Sequence, residues 1–161
     1  MKQEESNKII TITLTVLLGV FLQVVFGFAD SMDTPNKAVA EFAKAYYQFD
    51  KNTLTARLCN ESQTADDVNT VDRYVYNAHQ KAESLGYGMY YMKEKLYDLK
   101  TYTVEKTGYT KAKIRLVCER KPPLQSFFTG RPAVEVDEIF DVVLEEGRWK
   151  VCGNPFSLNE G

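Results

Sequence analysis

The chain has one histidine, His79, and no recognisable catalytic signature built around it. Its three cysteines, Cys59, Cys118 and Cys152, lack the close Cys-x-x-Cys spacing of structural zinc, so neither a zinc site with His79 nor any other metal or cofactor is expected. No lipobox cysteine is present. Nor is there an excess of one charge: Lys and Arg number 20 and Asp and Glu 22. The first 29 residues hold two of each sign (Lys2, Lys8, Glu4, Glu5), which leaves 18 against 20 for the rest and a net of −2. Phosphate backbones are bound largely through clustered Lys and Arg that release counterions, so nucleic acid is not expected as a partner. Repeats and low-complexity tracts are absent, and prolines number only five. With 44% hydrophobic and 26% charged residues the composition is that of a folded protein, and 161 residues leave room for one domain with a real core.

What is present begins with an uncharged run, Ile9 to Ala29. A membrane-spanning helix needs about 20 apolar residues, whereas a cleavable signal has a shorter apolar core ending in small residues, for which Gly27-Phe28-Ala29 would serve. Residues 1–29 therefore read as a signal anchor or signal peptide, the length of the run favouring the anchor, and residues 30–161 as a single domain. Lys2 and Lys8 precede the run, and Asp30 and Asp33 follow it. The positive flank stays inside, so the domain is expected on the extracytoplasmic side, periplasmic or secreted, with the inner membrane as its partner through residues 9–29. Such a compartment permits a disulfide.

Beyond residue 30 the hydrophobic rhythm is first helical. Thr34-Pro35 supplies an N-cap and first residue, and Val39, Phe42, Ala43, Tyr46 and Phe49 recur on one stripe. Leu54 and Leu58 mark a short second helix. Thr64 and Asp67 have the spacing of a capping box before Val68, Val71, Val75, Ala78, Ala82 and Leu85, and Gly86 and Gly88 end that third helix. From about Tyr90 the period becomes two, loosely through Leu96 to Val104 and then cleanly in Ala112, Ile114, Leu116 and Cys118. Turns at Lys106 to Tyr109 and Glu145 to Arg148 bound further strands, the last beginning at Trp149. The expected class is α+β: an N-terminal hydrophobic helix, then three helices packed in a curved antiparallel sheet of about four strands.

The opening helix Asn36 to Phe49, the short helix Asn52 to Leu58 and the closing hairpin Gly147-Arg148-Trp149-Lys150-Val151 resemble the nuclear-transport-factor-two-like, or SnoaL-like, superfamily over about residues 34–156. The resemblance implies a cone formed by the sheet over the helices. Enzymes of that superfamily work inside the cone with Asp, Tyr or His, while many extracytoplasmic members are binding or assembly modules. No active-site motif of the family aligns here, and such a superfold hosts many functions.

Several candidate sites follow from the residues themselves. Asp72, Tyr76, His79 and Glu83 form a polar line along one edge of the third helix. If that edge faces the cone, Asp72 or His79 would be a general base with Tyr76 as hydrogen-bond donor. If it faces water, it is the wet flank that amphipathic helices ordinarily carry. Ten tyrosines could line an aromatic pocket, Tyr46 foremost, with Tyr76 and His79 beside it for a small apolar ligand. The segment Lys121 to Pro132 is long for a hairpin, and its Leu124, Phe127 and Phe128 would either plug the cone mouth or meet a ligand or protein partner. Asn60-Glu61-Ser62 matches a glycosylation sequon.

For the cysteines, a tight turn at Glu146-Gly147 puts Leu144 opposite Trp149 and Cys152 opposite Asp141. A second tight pairing then leaves Cys118 about 20 Å away along the strand, too far for a bridge. Cys59 is therefore expected in the disulfide. The inward parity of Cys118 favours Cys59–Cys118 over Cys59–Cys152, and three unpaired buried thiols remain the alternative. The functions compatible with all this are a tethered or secreted binding or assembly module, a small isomerase- or dehydratase-like enzyme acting on an apolar molecule in the cone, and an anchored subunit of an envelope complex. The last resembles inner-membrane assembly subunits of type IV secretion, although this chain's N-terminal tail is much shorter.

Overall fold

A computed structural model describes the backbone of residues 2–123, 130 and 132–157, with side chains in that set except at 2–10, 26–31 and 157. The chain divides into two units, Met1–Met32 and Asp33–Gly161. The first is a helix, α1 (Lys2–Ser31). Among the described residues no helix is long and apolar enough to cross a membrane.

The second unit is α+β, as its rhythm predicts. Helix α2 (Pro35–Gln48) starts where expected: the Thr34 side chain accepts from the Lys37 amide at 3.2 Å, and proline occupies the first turn. It ends on Phe49, which takes the left-handed conformation (φ 56°). Helix α3 (Lys51–Arg57) is capped by Asp50, whose carboxylate accepts from the Asn52 and Thr53 amides.

The third amphipathic helix, α4 (Thr70–Ser84), departs from expectation at its start. Thr64 and Asp67 do not form a capping box. They belong to a two-stranded hairpin, β1 (Thr64–Ala65) and β2 (Val68–Asn69), whose turn residues Asp66 and Asp67 both have positive φ. Two left-handed residues are what a two-residue hairpin turn of matching twist requires, and Asp tolerates that conformation better than most. The cap is Asn69, whose side chain accepts from the Asp72 amide at 3.0 Å.

The four long strands form one antiparallel sheet in chain order: β3 (Lys95–Thr107), β4 (Lys111–Lys121), β5 (Val134–Glu145) and β6 (Arg148–Cys152). The loose alternation in β3 has a physical cause. The register slips between Tyr97 and Lys100 around Asp98, a residue of positive φ, and the less exposed side moves from Leu96 to Leu99 and Thr101. The last hairpin is as anticipated, with Leu144 opposite Trp149 and Cys152 opposite Asp141. Its turn is Glu146-Gly147, both at positive φ. The apolar faces meet in a core where Phe42, Tyr46, Leu54, Leu58, Ile114 and Leu116 are wholly buried, each contributing roughly 1.5–3 kcal/mol.

The structure corrects one pairing: Cys59 is bridged to Cys152, not to Cys118. Leu58 forms a parallel bridge to Val151, and the Cys59 amide donates to the Val151 carbonyl at 2.9 Å. The end of α3 is thereby stitched to the outer edge of β6, with the cysteine Cα atoms 5.3 Å apart. Cys118 pairs with Val136 in the interior of the sheet and stays a free, buried thiol. Inward parity marks a cysteine that packs in the core, whereas the bridge forms at an edge, where two backbones already run side by side.

Candidate functional site

The interior between helices and sheet is filled with aromatic rings. Phe42, Tyr46 and Phe49 follow one another at helical steps on α2, and Tyr74 of α4 stacks on Tyr46 with centroids 4.6 Å apart. Phe140 of β5 and Phe156 close on Phe42 edge-on at 6.1 and 6.0 Å. Tyr46, expected to line a ligand pocket, is wholly buried. Its hydroxyl donates to the Phe156 carbonyl, and its own carbonyl accepts from the Tyr74 hydroxyl at 2.9 Å. Tyr46 is a core residue.

The acid–base candidates lie outside. Asp72, Tyr76 and His79 are all exposed, Tyr76 by 63%. Asp72 pairs with Lys51, and His79 faces Glu83 one turn on at 3.6 Å. Helical geometry accounts for this placement. At about 100° per residue the buried line of Val71, Ala78 and Ala82 centres on one direction, and Asp72, His79, Glu83 and Tyr76 lie roughly 80–140° to one side of it. Tyr74 and Lys81 lie roughly 60–80° to the other side, and it is this second flank that borders a cavity. Phe127 and Phe128 lie outside the described residues.

That cavity, about 270 Å³, is lined by Tyr47, Phe49, Tyr74, Lys81, Met92, Glu94 and Arg120. Arg120 continues the inward parity of Ile114, Leu116 and Cys118 to the end of β4 and donates to Glu94 at 3.2 Å. Glu94, just before β3, is tied to α2 by its amide, which donates to the Tyr47 carbonyl at 3.0 Å. The Arg120 guanidinium lies 5.7 Å from the centroid of the Tyr47 ring. Tyr47 is 3% exposed, and its hydroxyl has no hydrogen-bond partner among the described residues. Three groups here are shifted, all away from neutrality. Burial raises the Tyr47 phenol, against a smaller opposing effect of Arg120, and burial together with Tyr46 raises the Tyr74 phenol. Burial also pushes the Cys118 thiol up to about 11, with Arg120 opposing. Both phenols therefore remain protonated donors, and Cys118 is a poor nucleophile at neutral pH.

Sequence reasoning passed over Glu94 and Arg120, and it counted Tyr47 only as one of the ten tyrosines that could line an aromatic pocket. A signal existed for Arg120, an ionic side chain at the fifth inward position of an otherwise apolar strand face, which calls for a partner.

A second concavity, about 690 Å³, lies against the disulfide. Arg73 and Asn77 of α4, Thr64 of β1, Asp141 of β5 and the segment Cys152 to Phe156 form its walls. The Ser62 hydroxyl donates to the Gly153 carbonyl at 2.9 Å, and the Thr70 hydroxyl to the Ser62 carbonyl at 2.7 Å, which holds the rim together. Cys59, Cys152 and Glu145 bring potential ligand atoms within 4.8 Å of one another, but the two sulfurs are bonded to each other and offer no thiolate.

No protein-family model matches the chain, and no curated protein matches it. Among solved structures it is similar to a protein of Shewanella frigidimarina provisionally named a ketosteroid isomerase. The two share 16% identity and a TM-score of 0.45 over 75% of this chain and 93% of that one.

Proposed function

We propose that the chain is an exported, non-catalytic binding module, held to or released from the membrane by its N-terminal segment. The filled interior is the observation that carries this. An enzyme acting on an apolar molecule inside the cone would need the space that Phe42, Tyr46, Phe140 and Phe156 occupy, and the polar residues suited to acid–base chemistry face water. Export is supported by the Cys59–Cys152 disulfide, which persists in oxidising compartments, and by the uncharged run Ile9 to Ala29 with its basic N-terminal flank. The two concavities beside α4 are the surfaces available for a ligand or partner.

The test combines location with thiol state. A C-terminal fusion to a phosphatase active only outside the cytoplasm should be active. In the denatured full-length chain, one cysteine should react with maleimide before reduction and three after it. An inactive fusion, or three reactive thiols without reductant, would overturn the proposal. Retention of the mature chain in membranes distinguishes an anchor from a cleaved signal, and co-purification of a stoichiometric partner would identify an envelope-complex subunit.

A further inference from the structure

Resting on the tethered form of the reading above, we infer that the tip of the β3–β4 hairpin, Lys106 to Lys111, docks on the anionic headgroups of the membrane that holds the chain. Connectivity is the first reason. The run Ile9 to Ala29 ends four residues before Asp33, a span of at most about 14 Å when fully extended. Asp33 is already fixed in the folded unit: its carboxylate accepts from the Trp149 amide at 2.7 Å and from the Arg57 guanidinium at 2.8 Å. With the run in a bilayer, the end of the folded unit that carries Asp33 is therefore confined to about that reach of the hydrocarbon boundary, and headgroups fill part of the distance.

Sheet topology puts the hairpin tip at that same end. Trp149 lies opposite Leu144, whose amide donates to the Thr110 carbonyl at 2.8 Å. Two strand spacings, about 10 Å, thus separate the tip from the partner of Asp33, at one level along the strands. Farther back on β3, the Thr103 hydroxyl donates to Asn36 at the start of α2. The opposite end, where Lys95 pairs with Lys121, is about 33 Å away along β4. The chemistry of the near end suits headgroups. Tyr109 is 88% exposed at the apex of the turn, and Lys106 and Lys111 flank it. Among the described residues Lys106, Lys111 and the neighbouring Arg148 have no ionic partner, whereas the acids of this end are taken: Asp33 by Arg57, Glu105 by Lys113, and Glu145 and Glu146 by Lys150. Tyrosine settles at the level of the headgroups, and each basic side chain near an anionic surface strengthens association roughly fivefold. Three cations bind a free chain weakly, but they suffice for a domain that its tether already confines to the surface.

The test reconstitutes the full-length chain into phosphatidylcholine vesicles with and without phosphatidylglycerol. A fluorophore is placed on Thr110→Cys at the tip or on Lys95→Cys at the opposite end, both exposed positions. Cys118 is buried and Cys59 is bridged to Cys152, so the new thiol is the one that labels in the folded chain. Quenchers attached to the lipid headgroups should quench the label at 110 and spare the one at 95. Quenching at 110 should weaken without phosphatidylglycerol and at high salt. Lys106→Gln with Lys111→Gln should lower the ratio of docked to undocked tip roughly 25-fold, two steps of about fivefold, and Tyr109→Ser should lower it further. Equal quenching at the two positions, none at 110, or quenching at 110 indifferent to anionic lipid and to the paired lysine substitutions would overturn the assignment. Retention of the chain in vesicles after a carbonate wash reports the anchor separately. A retained chain without quenching at 110 refutes only the docking, and a chain released by carbonate whose label at 110 is quenched beforehand refutes only the anchor.

Discussion

Removing the Cys59–Cys152 bridge should cost the folded unit as much stability as truncating a large buried side chain. The two residues are 93 apart in the chain, and closing a loop of that length removes denatured-state entropy equivalent to about 4.6 kcal/mol at 25 °C. For a unit of about 130 residues this corresponds to a fall in Tm of roughly 15 °C. The bridge also fastens the end of α3 and the segment Asn60–Ser62 to β6, where the Asn60 amide donates to Glu145 and the Glu145 carboxylate meets Lys150 at 3.3 Å. Its loss should therefore loosen that edge first. The assay is thermal unfolding followed by far-UV circular dichroism, with and without a phosphine reductant, for the wild type, the Cys59→Ala/Cys152→Ala double variant and Cys118→Ala. Reductant should bring the wild type down to the double variant, leave the double variant unmoved, and act on Cys118→Ala as strongly as on the wild type. A wild-type Tm indifferent to reductant, or a reductant response that disappears with Cys118→Ala, would refute the assignment and return the bridge to the interior of the sheet.

Three further outcomes are expected. Arg57 binds Glu41 at 2.7 Å, Asp33 at 2.8 Å and the Trp149 carbonyl at 3.1 Å with its side chain 13% exposed, so Arg57→Met should lose about 2–3 kcal/mol by urea unfolding, discounted because Glu41 is more than a third exposed. The Asp50 carboxyl is held below its ordinary value of 3.8 by hydrogen bonds from the Thr53 hydroxyl and amide, so its contribution is present above that value and lost as pH falls through the lower folded one. Asp50→Ala should cost about 1 kcal/mol at pH 7, and the gap between variant and wild type should close progressively below about pH 4 in acid-unfolding series. Gly147 sits at φ 76° in the β5–β6 turn, and Gly147→Val should destabilise by roughly 1–2 kcal/mol in the same urea assay, since a branched side chain is strained there whatever the space around it.

Much of the fold was legible because local chemistry and hydrophobic period agreed. Thr34-Pro35 starts α2, the stripe of Val39, Phe42 and Tyr46 is buried, and the turn at Glu146-Gly147 puts Leu144 opposite Trp149. The sequence was undecided or misleading where a local signal had two solutions. Thr64 and Asp67 have capping-box spacing, but a pair of left-handed aspartates folds them into a hairpin, and the helix begins at Thr70. The third helix has a polar residue on each flank of its stripe, and periodicity alone cannot say which flank meets the interior. The structure turns Tyr74 and Lys81 toward the cavity and leaves Asp72, Tyr76 and His79 to water.

From the linear order of residues alone come the uncharged N-terminal run, the class of the domain, the register of its last hairpin and a register argument against a Cys118–Cys152 bridge. These depend on interactions within a few residues or across a tight turn. Tertiary structure alone decided that Cys59 joins Cys152, that aromatic rings close the interior, and that Tyr47, Glu94 and Arg120 share a wall. Those contacts join α2, α4 and the ends of β3, β4 and β6, and their distances are set by how whole elements pack, which no spacing along the chain encodes.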